Sequence, residues 1–107
     1  MKIAFAVIVF LHGIIHLLGF IKGFKLADVD RLNGEISKTE GFFWFVALIL
    51  FIGSAVLVFI NADSWWLIAL TAVVISQILI IRQWQDAKIG TIANIIILII
   101  LVFLIAV

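Results

Sequence analysis

The sequence predicts an all-α integral membrane protein: a bundle of four transmembrane helices, with a short cytoplasmic amphipathic helix between helices 1 and 2. Three observations predict it. Of 107 residues, 67% are hydrophobic and 12% are charged, and so small a soluble domain could not hide that much apolar surface. The charges are bunched, leaving uncharged runs at 3–21, 41–62, 64–81 and 89–107. Each run approaches the ~20 residues that a helix needs to cross about 30 Å of hydrocarbon. The runs use up nearly the whole chain, so 1–107 reads as a single integral membrane domain, with helices at about 3–24, 38–60, 64–85 and 88–107.

Helix 1 follows Lys2, a weak n-region. Its apolar stretch is too long for an ordinary signal peptide and no small-x-small cleavage site follows, so it reads as a retained helix. In the link "KLADVDRLNGEISKTE", residues 25–40, Leu26, Val29, Leu32 and Ile36 recur at roughly helical spacing, as in a helix lying on a membrane surface. Asn33-Gly34 would end or turn it. "SKTE", residues 37–40, reads as a capping box in which Ser37 caps helix 2 and Glu40 reaches back. "NADS", residues 61–64, is a tight turn offering Asp63 or Ser64 as the cap of helix 3, and Asp86 can cap helix 4.

Lysine and arginine set the orientation. If both chain ends lie on one side, that side holds Lys2 alone. The other side holds Lys22, Lys25, Arg31, Lys38, Arg82 and Lys88. This asymmetry puts the 25–40 link and the 82–88 turn in the cytoplasm of a bacterial inner membrane, with both termini outside. Trp65 and Trp66 fall at the outer boundary and Trp44 and Trp84 near the inner one, as an aromatic belt would.

"LHGIIHLLGF", residues 11–20, carries two histidines four positions apart in an otherwise apolar run. Counting about 1.5 Å per residue, His16 lies about 9 Å below the cytoplasmic boundary, Gln77 about 7–8 Å and Asn94 about 9 Å. Ser76 is one step deeper than Gln77, and His12 one turn deeper than His16. Three helices therefore bring a hydrogen-bonding side chain to one depth, where facing lipid is costly. His12, His16, Ser76, Gln77 and Asn94 are expected to turn inward and form a polar pocket. His12, His16, Gly19 and Gly23 fall on one stripe of helix 1, and Gly19 and Gly23 would admit a close backbone. With the stripes Ala69, Ala72, Ser76 and Gly90, Asn94, they lead to the expectation that helices 1, 3 and 4 pack closely at the cytoplasmic end. "QWQDAKIGTIAN", residues 83–94, places Trp84, Asp86, Lys88 and Thr91 at that end, as cap, anchor or gate over the pocket.

Several uses of the pocket stay open. The side chains could serve helix packing alone, each bond adding ~0.6 kcal/mol. The imidazoles could carry a proton or line the path of a small solute, in a homodimer because four short helices barely enclose a path. Zinc or haem could bind through His12 and His16, with a second copy supplying more ligands. The chain has no cysteine and a single methionine, which argues against thiolate chemistry and copper(I) handling. It has no basic run to suggest nucleic acid. No nucleophile–base pair, intramembrane carboxylate or phosphate loop points to enzyme chemistry. The leading expectation is binding or passage of a small solute or proton. The contrasting one is a structural or accessory subunit of a membrane complex.

"LHGIIHLLGFIKGF" and "RQWQDAKIGTIAN", about a quarter of the chain, resemble stretches of small bacterial membrane proteins loosely grouped with DoxX-like four-helix proteins. The resemblance implies a four-helix bundle and, for some members, association with quinone-linked oxidoreductases. No defined DoxX functional residue maps onto this sequence. The length and helix count also resemble those of small multidrug resistance transporters, but His12 stands where those carry a membrane-embedded glutamate.

Overall fold

A computed structural model of the chain describes residues 2–29 and 34–106. All regular structure among them is helical: α1 (Lys2–Ile15), α2 (Leu17–Gly23), α3 (Lys38–Phe59), α4 (Trp65–Arg82), α5 (Trp84–Ala87) and α6 (Gly90–Ala106). The stretch Lys2–Gly23, α3 and α4 are each long and apolar enough to cross a membrane. The apolar α6 has 17 residues, about 25 Å of rise.

Helix α1 packs on α3 and α6, α4 packs on the same two, and α2 packs on α3. The long dimension, 41 Å against 22 and 18 Å, is close to the ~40–45 Å of a bilayer with its headgroups. Burial runs the way lipid demands. Ala47, Ala69 and Ala72 are fully covered inside, and Phe5, Val9, Phe51 and Ile97 fill the space around them. The outward faces are large and apolar: Ile3, Phe59, Ile81 and Ile99 are each at least 60% exposed. In water such a surface would drive aggregation. Alanines at the helix contacts let the helices approach closely, and the apolar outward faces suit a lipid surround.

The helix ends show where local chemistry departs from expectation. Ser37 caps α3 as read, its Oγ accepting from Glu40 N at 3.1 Å. Glu40 does not reach back to complete a capping box, because its carboxylate is drawn to Arg82 and Gln83. Neither does Ser64 cap α4 through its side chain. That turn is instead closed by Asn61, at φ 57°, with Ala62 N–H donating to Leu57 O at 3.0 Å, which satisfies a carbonyl orphaned at the end of α3. Lys25, at φ 55°, ends α2 in the same way, with Leu26 N–H on Ile21 O.

After that left-handed residue the link is not helical where it is described: 25–29 and 34–37 are turns, bends and irregular backbone. Leu32 and Asn33, on which the expected amphipathic helix and its end partly rest, lie outside the described residues. The third expected helix ends at Arg82 rather than 85, since Gln83 leaves helical geometry at φ −116° and ψ 38°. Four residues of α5 follow before α6 begins at Gly90, so Asp86 sits inside α5 rather than at the start of α6. Its carboxylate instead accepts from Gly34 N–H at 2.9 Å.

Candidate functional site: a buried histidine ring

The α1–α2 boundary is made by His16. Its ring Nδ1 lies 2.8 Å from the carbonyl oxygen of His12. In an unbroken helix that carbonyl would take the backbone N–H of His16. The side chain occupies it, and His16 N–H turns to Gly13 O at 2.9 Å, one residue nearer. The helix tightens there without a proline or a glycine at the break.

A carbonyl only accepts, so His16 Nδ1 carries a proton. In the neutral imidazole Nε2 is then an acceptor, and it lies 2.7 Å from Ser76 Oγ on α4. The Ser76 hydroxyl donates to it and receives Asn94 Nδ2–H from α6 at 3.2 Å. The Asn94 carbonyl oxygen in turn faces His12 Nε2 at 2.8 Å, which must donate. Each group passes its hydrogen to the next: His12 to Asn94, Asn94 to Ser76, Ser76 to His16, and His16 back to the backbone of His12. The second Asn94 amide hydrogen meets Gln77 Oε1 at 3.0 Å, and Gln77 Nε2 donates to Thr91 Oγ1 at 2.9 Å.

His12, His16, Ser76 and Asn94 are 0–6% exposed. An aromatic clamp from α3 holds the rings. Phe51 lies 5.1 Å from His12 and 5.2 Å from His16, Trp44 lies 5.2 Å from His16, and the imidazoles meet edge to face at 4.9 Å. Helix α3, the greasy one by sequence, supplies no hydrogen bond to the ring but forms its wall. One polar atom of that wall, Trp44 Nε1, is buried without a hydrogen-bond partner. Packing rather than bonding therefore seats the indole.

The seat is Gly19. A Cβ there would stand 2.2 Å from the Trp44 ring. A Cβ at Gly23 would stand 2.6 Å from Gly41 Cα. The glycine stripe thus faces α3, which corrects the expected close packing of Gly19 and Gly23 on helices 3 and 4. Its cause is the indole, which needs a flat floor beside His16. Gly90 has a separate role: a Cβ would meet Ile80 at 2.8 Å and approach His12 Cε1 at 3.7 Å, so it lets α6 close over the ring.

The structure therefore joins all five expected pocket residues and adds Thr91, which the sequence places at the cytoplasmic end. Trp84 is 47% exposed and Lys88 is exposed, and neither touches the ring. Gln83 was missed by sequence reasoning. It is 8% exposed, and its Nε2 donates to Glu35 O at 3.1 Å and Glu40 Oε2 at 3.2 Å. With the Arg82–Glu40 ion pair at 2.8 Å and the Gly34–Asp86 bond, it forms a second polar cluster at the charged end, a clasp between the link and the end of α4. Among the described residues no group of three or more His, Cys, Asp or Glu is placed to hold a metal ion. A metal bound through His16 would have to displace its bond to Ser76 or to the His12 carbonyl. No family model matches the chain, and no curated protein or solved structure proved similar to it.

Proposed function

We propose that the protein is a four-helix transmembrane bundle of the bacterial inner membrane that serves as a structural or accessory subunit, with the histidine ring as its internal lock. The observation that carries this reading is the closure of the ring: four side chains from three helices and one backbone carbonyl satisfy one another in a single direction. Such a ring ties α1, α4 and α6 to one register and gives every hydrogen that its side chains donate a partner within the protein. The six cationic residues at that end, Lys22 and the five of the link and turn, support its cytoplasmic placement. A place beside a quinone-linked oxidoreductase agrees with the DoxX-like stretches.

Labelled histidine in nanodiscs tests the lock. The ¹⁵N shifts are expected to report a proton on Nδ1 of His16 and on Nε2 of His12, both unchanged by zinc. Loss of those tautomers on adding zinc would instead favour a metal site.

A second reading is passage of a proton or small solute through the ring, in a homodimer. It is favoured by the contact of two imidazoles at 4.9 Å, since imidazole is the side chain suited to moving protons near neutral pH. A tautomer signal that changes between pH 5 and 8 would support it and count against the lock.

A further inference from the structure

A groove of about 470 Å³ opens between α3 and α4 at the charged end. Its residues are sorted by depth. Ser37, Thr39, Glu40 and Arg82 form the rim, while Phe43, Ile75, Ile78 and Leu79 line the part that runs toward the membrane centre. From Arg82 to Ile75 is about 10 Å along the helix. The sorting matches a phospholipid, polar where the headgroup lies and apolar where an acyl chain descends.

Charge at the rim supports the match. The Arg82 side chain is 60% exposed, whereas that of its partner Glu40 is 15% exposed. The Glu40 carboxylate is taken up by Arg82 Nη2 and Gln83 Nε2. The anion is turned in and the cation out, so an approaching ligand meets the guanidinium. A guanidinium has five N–H donors in a plane that suits a phosphate, and one Nη2 contact to Glu40 leaves most of the fork. The N-terminus of the 22-residue α3 opens at the same rim, and its dipole also favours an anion there. A protein partner would have to bury this cation against its own surface. A phospholipid supplies the phosphate and the hydrocarbon together, and the surrounding bilayer supplies the phospholipid.

We propose that the α3–α4 groove holds one phospholipid, its phosphate diester on Arg82 and an acyl chain against Phe43, Ile75, Ile78 and Leu79. The site rests on the membrane-spanning part of the proposed function and is independent of the histidine ring.

Native mass spectrometry of the full chain released from detergent, with added palmitoyl-oleoyl phosphatidylglycerol, tests it. The wild type is expected to retain one phospholipid and to bind dioleoylglycerol, which lacks the phosphate, at least tenfold more weakly. Arg82→Gln should weaken retention about tenfold. Ile78→Trp should abolish it by filling the groove, with an unchanged melting temperature because Ile78 is 56% exposed and outside the core. Equal retention of dioleoylglycerol, or wild-type retention by both variants, would overturn the site. Carbonate extraction of membranes separates the two failures. A chain that washes out refutes the membrane reading itself, while a chain that stays inserted but keeps no lipid refutes only the groove.

Discussion

The histidine ring and the charged clasp meet on α4 and use bonds of similar length. His12–Asn94 and Arg82–Glu40 both span 2.8 Å. They differ in medium. The ring is sealed among helices, with His16 1% and Asn94 2% exposed; the clasp sits at the boundary with its arginine largely uncovered. Water competes for the clasp and supports whatever is left when one partner goes. Nothing does so inside the ring, where a lost partner strands a buried polar atom. Equal geometry therefore implies unequal consequence, and each variant below measures that inequality.

The largest effect is expected at the wall of the ring. Gly19→Leu would drive a side chain into the Trp44 indole, where even a Cβ would stand at 2.2 Å. Overpacking of this kind costs about 1–3 kcal/mol, occasionally more. Reversible unfolding in mixed micelles should show a loss at the upper end, and Trp44→Ala added to Gly19→Leu should recover part of it. No recovery in the double variant would mean that the indole is not what Gly19 accommodates.

Next comes Asn94→Leu. Asn94 accepts from His12 and donates to Ser76 and Gln77, so leucine strands His12 Nε2–H and leaves two acceptors unmet. Each orphan costs about 1–3 kcal/mol by soluble-protein measure, but membrane helices find alternative partners and typical values are nearer ~0.6. A total loss of about 2 kcal/mol is expected, and a loss under about 0.5 kcal/mol would show that the ring holds no more tightly than the clasp.

The contrast between the regions also explains what the sequence made legible. In the ring, depth was readable from the distance to the nearest charge, and lipid gives a polar side chain only one direction to face. His16, Ser76, Gln77 and Asn94 could therefore be gathered without knowing any helix crossing. The clasp had no such constraint. Glu40 and Asp86 sit at helix starts, where a local cap is the natural reading, and both are drawn instead to distant partners, Arg82 and Gly34. Gln83 gave no signal at all, because its burial depends on a helix break that periodicity does not mark. The glycine stripe was seen, but its partner was not, since a tryptophan in an aromatic-rich helix looks like one more lipid-facing side chain.

Ser76→Ala takes a single hydroxyl from the ring, leaving His16 Nε2 without a donor and Asn94 with one amide hydrogen unmet. About 1 kcal/mol of destabilisation is expected, toward the upper part of the range for interhelical bonds in membranes. The ¹⁵N signal of His16 should move while that of His12 keeps its Asn94-bound position. If both rings respond equally, the ring behaves as one coupled unit rather than a chain of separable bonds.

The smallest effect belongs to the clasp. Arg82→Gln removes an ion pair whose cation is 60% exposed, and pairs of that kind contribute about 0–1 kcal/mol. The loss should shrink further between 0.05 and 0.5 M salt, because the Debye length falls from above about 10 Å toward a few ångströms, while the cost of Asn94→Leu should not respond to salt. Glu40→Gln is the sharper probe. It keeps one acceptor oxygen where Glu40 uses two, one for Arg82 and one for Gln83, and removes the charge that pairs with the guanidinium. If Glu40→Gln is as harmful as Asn94→Leu, and equally blind to salt, the clasp is shielded like the ring and the distinction between the two regions fails.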